Sequence, residues 1–238
     1  MELQVQWLGR IDYRAAWDRQ HRLVAARQAG EIPDQLLLLE HDPVLTLGRQ
    51  SDESFVRASP RELAQRRIEL IRVERGGEVT YHGPGQLVAY PILRLADREL
   101  LLRPFVRALE AALSETAAAY GVMAGRREGH PGAWCDPDGS EPRKLAALGL
   151  RVERGVSYHG IALNVTTRLQ DFELIDPCGM PGALITSIAR EAGWPADRSA
   201  PSIESVREAG LIFAEAFRRG LHQAAPTPAS EIPVPAAV

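Results

Sequence analysis

A mixed α/β domain is predicted: one sheet of mixed strand direction with helices packed on it. Three observations predict it. Candidate strands and helices interleave along the chain, yet strand pairs joined by short turns also occur, which a purely parallel doubly wound sheet does not tolerate. Neither a GxGxxG run nor a phosphate-cradling Gly-Lys-Ser/Thr is present. The single local echo, Val79-Thr80-Tyr81-His82-Gly83 against Val156-Ser157-Tyr158-His159-Gly160, has only two copies and makes no repeat array.

The elements follow in order. Glu2 to Leu8 alternates as a strand. Asp12 caps a helix that turns Tyr13, Ala16, Trp17, Leu23 and Val24 inward and closes at Gly30. Leu36–Leu39 and Val44–Leu47 read as strands around a turn at Pro43. Ser59-Pro60-Arg61-Glu62 is a capping box with proline at the first helical position. Ile68–Val73 is a strand running into Arg75-Gly76-Gly77, and Gln86–Leu93 is another. Pro104 opens a helix with Phe105, Leu109, Ala112, Leu113 and Tyr120 on one face, stopped by Gly121. Met123 to Glu153 reads as strands joined by turns, with Asp136-Pro137-Asp138-Gly139 one of them. Ser157–Val165 is a strand, 176–182 a loop, and Pro201-Ser202 starts a last helix with Val206, Phe213, Phe217 and Leu221 inward. The expected division is a main domain over 1–188, a small C-terminal helical unit over 189–223 and a disordered Pro/Ala-rich tail over 224–238.

Composition narrows the function classes. Apolar residues are 45% and charged residues 25%, with a net charge of −3, so a globular core is expected and a nucleic-acid coat is not. The N-terminus lacks a basic region followed by an apolar stretch, and no run approaches a membrane span; a soluble cytoplasmic protein is the expectation. Two cysteines, Cys135 and Cys178, exclude a disulfide-stapled scaffold. The 28 basic residues comprise 27 Arg and one Lys, Lys144, and the chain has a single Asn, Asn164. A GC-rich genome drains both codon sets. A lysine that survives such replacement is a candidate for chemistry that arginine cannot do, because an ammonium can release its proton near neutrality and a guanidinium cannot. Chance survival is the plainer reading.

Two segments carry the chemistry. Arg75-Gly76-Gly77-Glu78-Val79-Thr80-Tyr81-His82-Gly83-Pro84-Gly85-Gln86 crowds polar side chains among glycines, as a substrate-lining loop does; a Gly-rich hairpin with a core histidine is the alternative. Cys178, framed as Asp-Pro-Cys-Gly-Met-Pro-Gly, sits on a tight loop suited to a nucleophile, although free cysteines are often packing residues. Cys135 reads as packing. If the fold joins Lys144 to Cys178, the ammonium stabilises the thiolate below its free value of about 8.5. Acylation then removes the sulfur's charge and frees the lysine to act as a base. A Cys178 dyad with His82 or His159, or a metal set of those three, are the competing arrangements.

The run Arg75-Gly76-Gly77-x-x-Thr80-Tyr81-His82-x-Pro84-Gly85-Gln86-x-x-x-Tyr90-Pro91 resembles the signature of the octanoyl-carrier-protein:protein octanoyltransferases of lipoate biosynthesis. Gly132-x-Trp134, Arg143-Lys144-Leu145-Ala146-Ala147-Leu148-Gly149, His159-Gly160-Ile161-Ala162-Leu163-Asn164-Val165 and Pro177-Cys178-Gly179 with Thr186-Ser187 agree in order. Met180 and Ile185 depart from residues common there. The resemblance implies a biotin/lipoate protein ligase-like mixed domain and a medium-chain acyltransferase. Its donor would be octanoyl-acyl carrier protein. Its acceptor would be a lysine of the lipoyl domains of 2-oxoacid dehydrogenase E2 subunits or of glycine-cleavage H protein. It further implies Cys178 as nucleophile and Lys144 as its acid/base partner, with no cofactor, metal, nucleic acid or membrane. Substrate-lining residues would be Arg75, Gly76, Gly77, Glu78, Val79, Thr80, Tyr81, His82, Ala147, Leu148, Gly149, Gly160, Ile161 and Ala162. Arg126, Arg127 and Arg143 are the expected patch for an acidic carrier. The alternatives are an ATP-dependent lipoate or biotin ligase of the same fold, and a non-enzymatic acyl- or metal-binding module.

Overall fold

The structure, a computed structural model, describes residues 2–49, 51–180, 182–195 and 200–224, without the side chain of Cys178. Its main sheet runs in the order β1 (Leu3–Ile11), β2 (Asp34–His41), β6 (Gln86–Ile92), β10 (Val156–Asn164), β9 (Arg143–Glu153), β8 (His130–Cys135) and β7 (Gly125–Arg127). A short β11 (Leu184–Ile185) lies parallel to the start of β9. The β1–β2 pair is parallel and the pairs from β2 through β7 are antiparallel, so the mixed sheet expected from sequence is the one formed. A second sheet orders β4 (Glu69–Arg72), β3 (Val44–Leu47) and β5 (Thr80–His82).

Strands buried on both faces explain the Leu36–Leu39 run. Leu36 and Leu38 enter one apolar layer with Leu87, Ala89, Ile161 and Leu163, while Leu37 and Leu39 enter the other with Val88, Tyr90 and Ala162. Against the first face pack α3 (Leu102–Ala118) and α5 (Ile203–Ala224), through Phe105, Leu109, Phe213 and Phe217. The segment expected as a small C-terminal unit therefore shares the main core: a Cβ on Gly210 would lie 3.2 Å from the Leu87 side chain. Ala224, assigned to the tail from sequence, is the last residue of α5; 225–238 lie outside the described residues.

The other face is covered by α1 (Tyr13–Ala29), capped by Asp12 and closed by Gly30 in the left-handed conformation, as its sequence dictates. Its inward face is more polar than expected. Gln20 and Arg27 are buried, and Arg27 Nε donates to Asp34 Oδ1 at 2.7 Å, while Arg98 Nε donates to Oδ2 at 2.5 Å. Ser59 caps α2 (Pro60–Arg66), beside the three-stranded sheet, and α4 (Ile188–Glu191) follows β11. The Arg75–His82 segment lies against the sheet face that α1 covers elsewhere, and the cavity described below opens there. Among the described residues no helix is long and apolar enough to cross a membrane.

Candidate active site

A cavity of about 350 Å³ separates the sheet from the Arg75–His82 segment. Every residue expected to line a substrate site lines it, Tyr81 excepted. Strand alternation explains the exception. Thr80 and His82 point to the cavity from β5, so Tyr81 points away, where its hydroxyl donates to Asp171 Oδ2 at 3.0 Å and its ring packs edge-on to Phe172. Across the β9–β10 ladder Ala147 faces Ala162 and Gly149 faces Gly160, which leaves the floor low. Gly76 N–H donates to Leu150 O at 3.0 Å, and a Cβ on Gly149 would stand 2.8 Å from Gly76 O, so the Gly76-Gly77 backbone sits directly on the strand. Tyr13, Val88, Tyr90, Gly129, His130, Pro131, Lys144, Leu150, His159 and Met180 complete the wall. Tyr13 was legible only as an inward helical residue, and nothing in the spacing linked α1 to this segment.

Lys144 lies at the junction of this cavity with a smaller adjoining space lined by Gln86, Asn164, Phe172, Pro177 and Ile185. It is only 5% exposed, and its Nζ stands 5.0 Å from the centroid of the Trp134 ring. Its backbone is held on both sides. Lys144 pairs with Trp134 on β8 and with Ile185 on β11, and Thr186 N–H donates to Lys144 O at 3.0 Å. Asn164, the chain's only asparagine, donates through Nδ2 to Thr186 O at 3.0 Å and accepts at Oδ1 from Gln86 Nε2 at 3.0 Å. Thr186 Oγ1 donates to Glu191 Oε1 at 2.6 Å, and Arg143 grips both Glu191 oxygens. This network fastens the end of the segment that carries Cys178 onto the lysine's strand.

Around Cys178 the backbone makes a 3-10 turn, Pro177–Gly179, with Gly179 N–H donating to Asp176 O at 3.1 Å. The Cys178 side chain itself lies outside the described residues. Its neighbours do not: Pro177 lines the smaller space with Lys144, and Met180 lines the larger cavity. Cys135 is a packing residue, 2% exposed in the helix-covered core, its thiol pushed up to about 12 by burial and by Glu191. Of the three arginines expected to meet a carrier, Arg126 is paired with Glu110 at 2.7 Å and Arg143 with Glu191 at 2.8 Å, whereas Arg127 lies over the Trp134 ring.

The polar end of the cavity is built of neutral rings. His41 Nδ1–H donates to Ile11 O at 2.9 Å, so its Nε2 accepts from the Tyr90 hydroxyl at 2.8 Å. His82 Nδ1–H donates to Gln86 Oε1 at 2.8 Å, because Gln86 Nε2 is itself committed as a donor to Tyr81 O and Asn164. Arg75 Nη2 donates to Thr46 Oγ1 at 2.9 Å and to Thr46 O at 2.6 Å. Burial pushes His82 well below its ordinary value and His41 to about 4, and raises Tyr13 to about 12. His159, with φ +55° and 1% exposed, has neither ring nitrogen hydrogen-bonded; its Nε2 is 3.7 Å from Glu74 Oε1, which the Trp17 and His21 rings approach more closely, at 3.1 and 3.0 Å.

A pH dependence of stability follows. His41 stays neutral in the fold down to about pH 4, whereas in the unfolded chain it protonates near 6.5. Between those values the unfolded state binds the extra proton, so stability falls as pH falls. From pH 7 to 4.5 the loss from this group is on the order of 2 to 3 kcal/mol. Urea unfolding at the two pH values is expected to show a loss in the native chain that exceeds the loss in His41→Gln by about this amount; equal losses in both would contradict it.

The mixed sheet with flanking helices is the fold of lipoate and biotin protein ligase catalytic domains. A bipartite lipoate protein ligase from Thermoplasma acidophilum superposes with TM-score 0.66 at 16% identity, covering 93% of this chain and 84% of that one. Lipoate-protein ligase A bound with ATP gives 0.61 at 14%, covering 94% of this chain and 92% of that one. Residues 12–214 match the family described as the lipoyl protein ligase A/B catalytic domain. The octanoyltransferase of Acidobacterium capsulatum is 46% identical over 226 residues, 90% of this chain and 91% of its own, and that of Koribacter versatilis is 42% identical over 95% and 91%. The chain belongs to the lipoyl protein ligase A/B family and, within it, to the octanoyltransferases.

Proposed function

We propose that this protein moves an octanoyl group from acyl carrier protein to a lysine of lipoyl domains or glycine-cleavage H protein, through a thioester on Cys178. The observation that carries the reading is the burial of the chain's only lysine between a substrate-sized cavity and the turn that holds Cys178. The likeness to octanoyltransferases supports the acyl group.

The chemistry balances without ATP. The Cys178 thiolate attacks the carrier's thioester carbonyl, the C–S bond to the carrier breaks, and the carrier thiolate leaves to take up a proton. Thioester exchanges for thioester, so this step is nearly isoenergetic. The acceptor's ε-amine then attacks the Cys178 thioester, Lys144 removes the amine's proton, and the Cys178 thiolate departs as the amide forms. Lys144 is charged beside the thiolate and loses that stabilisation once the sulfur is acylated, which fits it for both roles. Val79, Val88, Leu148, Ile161 and Ala162 give an alkyl chain an apolar bed. Burying seven alkyl carbons contributes up to ~5 kcal/mol at about 0.8 each, less the ordering cost.

An ATP-dependent ligase of the same fold is the second reading, because solved ligases share the architecture. The experiment that separates them is transfer to an apo lipoyl domain, followed by intact mass, with octanoyl carrier protein and no nucleotide. Acceptor octanoylation is the expected result. Modification only with free octanoate and ATP would replace the transferase reading by the ligase one.

A further inference from the structure

We infer that Trp134 is a positioning residue for Lys144, holding its ammonium against the indole face between the cavity and the turn that carries Cys178. The inference rests on the reading of Lys144 as the proton carrier.

Three observations carry it. First, Trp134 and Lys144 are directly opposed across the β8–β9 ladder, which puts their side chains on one face of the sheet. That opposition depends on a bulge: Ala133 pairs with Ala146 and Trp134 with Lys144, so Leu145 is left without a partner. Leu145 turns into the helix-covered core, 0% exposed, while Lys144 is re-aimed toward the cavity. Second, the ammonium stands 5.0 Å from the ring centroid, within cation–π range, and both residues are dry, at 5% and 3% exposure. Third, the ring is held by its own hairpin. Its Nε1–H donates to His130 O at 2.9 Å, the His130 ring meets it edge-on, and Arg127 lies 5.5 Å from the same centroid.

The physical consequence has a definite sign. The indole quadrupole attracts an ammonium and gains almost nothing from a neutral amine, so the contact favours the charged form. Other groups act on the same nitrogen. Arg127 and His130 come from the β7–β8 hairpin, and Glu78 and His82 share the cavity from the opposite wall. Arg143 next along β9 is neutralised by Glu191, and Cys178 belongs to the adjoining turn. Acylation changes the charge of Cys178 alone. The ring contact persists through both half-reactions, so it sets a fixed offset on which the change in sulfur charge operates.

The test is the second half-reaction: transfer from preformed octanoyl-enzyme to a lipoyl domain, followed across pH. It uses the full chain with tryptophan at 134 alone replaced by its mono-, di- and trifluorinated forms, and with Trp134→Phe and Trp134→Leu. Fluorination drains the ring's negative face while keeping its shape and its Nε1–H, so a merely structural role predicts no change along that series. The expected result is a rate limb that moves stepwise toward lower pH with each fluorine, reaching about one pH unit in Trp134→Leu. A limb that stays in place across the fluorinated proteins overturns the inference. Failure of the underlying reading looks different: Lys144→Arg would then transfer at the native rate whatever stands at 134.

Discussion

Lys144→Arg is expected to lose octanoyl transfer by at least ~10²- to 10³-fold although the positive charge is retained, the scale set by losing a positioned base. The argument is chemical and steric together. An arginine cannot release its proton near neutrality, so the acceptor amine would stay protonated or give its proton to water. The planar guanidinium must also fit where a single ammonium stands against Trp134, beside a small space lined by Thr80, Gln86 and Asn164, with 5% exposure. The loss is expected chiefly in the second half-reaction, because a guanidinium can still pair with a thiolate and permit some acylation. Rapid-quench measurement of each half-reaction checks this. Retention of normal transfer would mean that Lys144 supplies charge and no proton chemistry.

Gly160→Ala is expected to lower stability by roughly 3 kcal/mol and to abolish what activity remains in the folded fraction. A Cβ at this position would stand 1.9 Å from Ala89 O and 2.8 Å from Pro91 Cδ. Both obstacles are backbone or ring atoms of a central strand and cannot swing aside, so β10 must move away from β6. The displaced strand carries Ile161 and Ala162 in the cavity wall and Asn164 in the clamp on Thr186. Urea unfolding reads the stability and transfer kinetics read the site. A native-like midpoint would show that the two strands yield without cost.

Much of the fold was legible because its signals are local. Asp12 and Gly30 bracket α1, Ser59 and Pro60 start α2, and the burial of β2, β6 and β10 on both faces fits their apolar runs. The long helix α3 starts at Leu102, ahead of Pro104, because proline is tolerated in the first turn, and it ends at Ala118, before Gly121. What stayed hidden is long-range. Nothing in the alternation of Thr80-Tyr81-His82 says which side faces a cavity, and Tyr81, expected in the lining from the resemblance, points away from it toward Asp171. The bulge at Leu145, the arrival of Tyr13 and His159 at the same cavity, and the Asn164–Thr186–Glu191 clamp are properties of register and packing between segments far apart in sequence. The resemblance in the Arg75–Pro91 run supplied the site that composition alone could only outline.

The most direct test of the central claim is peptide mapping of the enzyme quenched in acid after brief mixing with octanoyl carrier protein, without acceptor or nucleotide. One octanoyl adduct, labile to hydroxylamine and located on Cys178, is the expected result. An unmodified Cys178 in a preparation that nonetheless octanoylates its acceptor would contradict the thioester route.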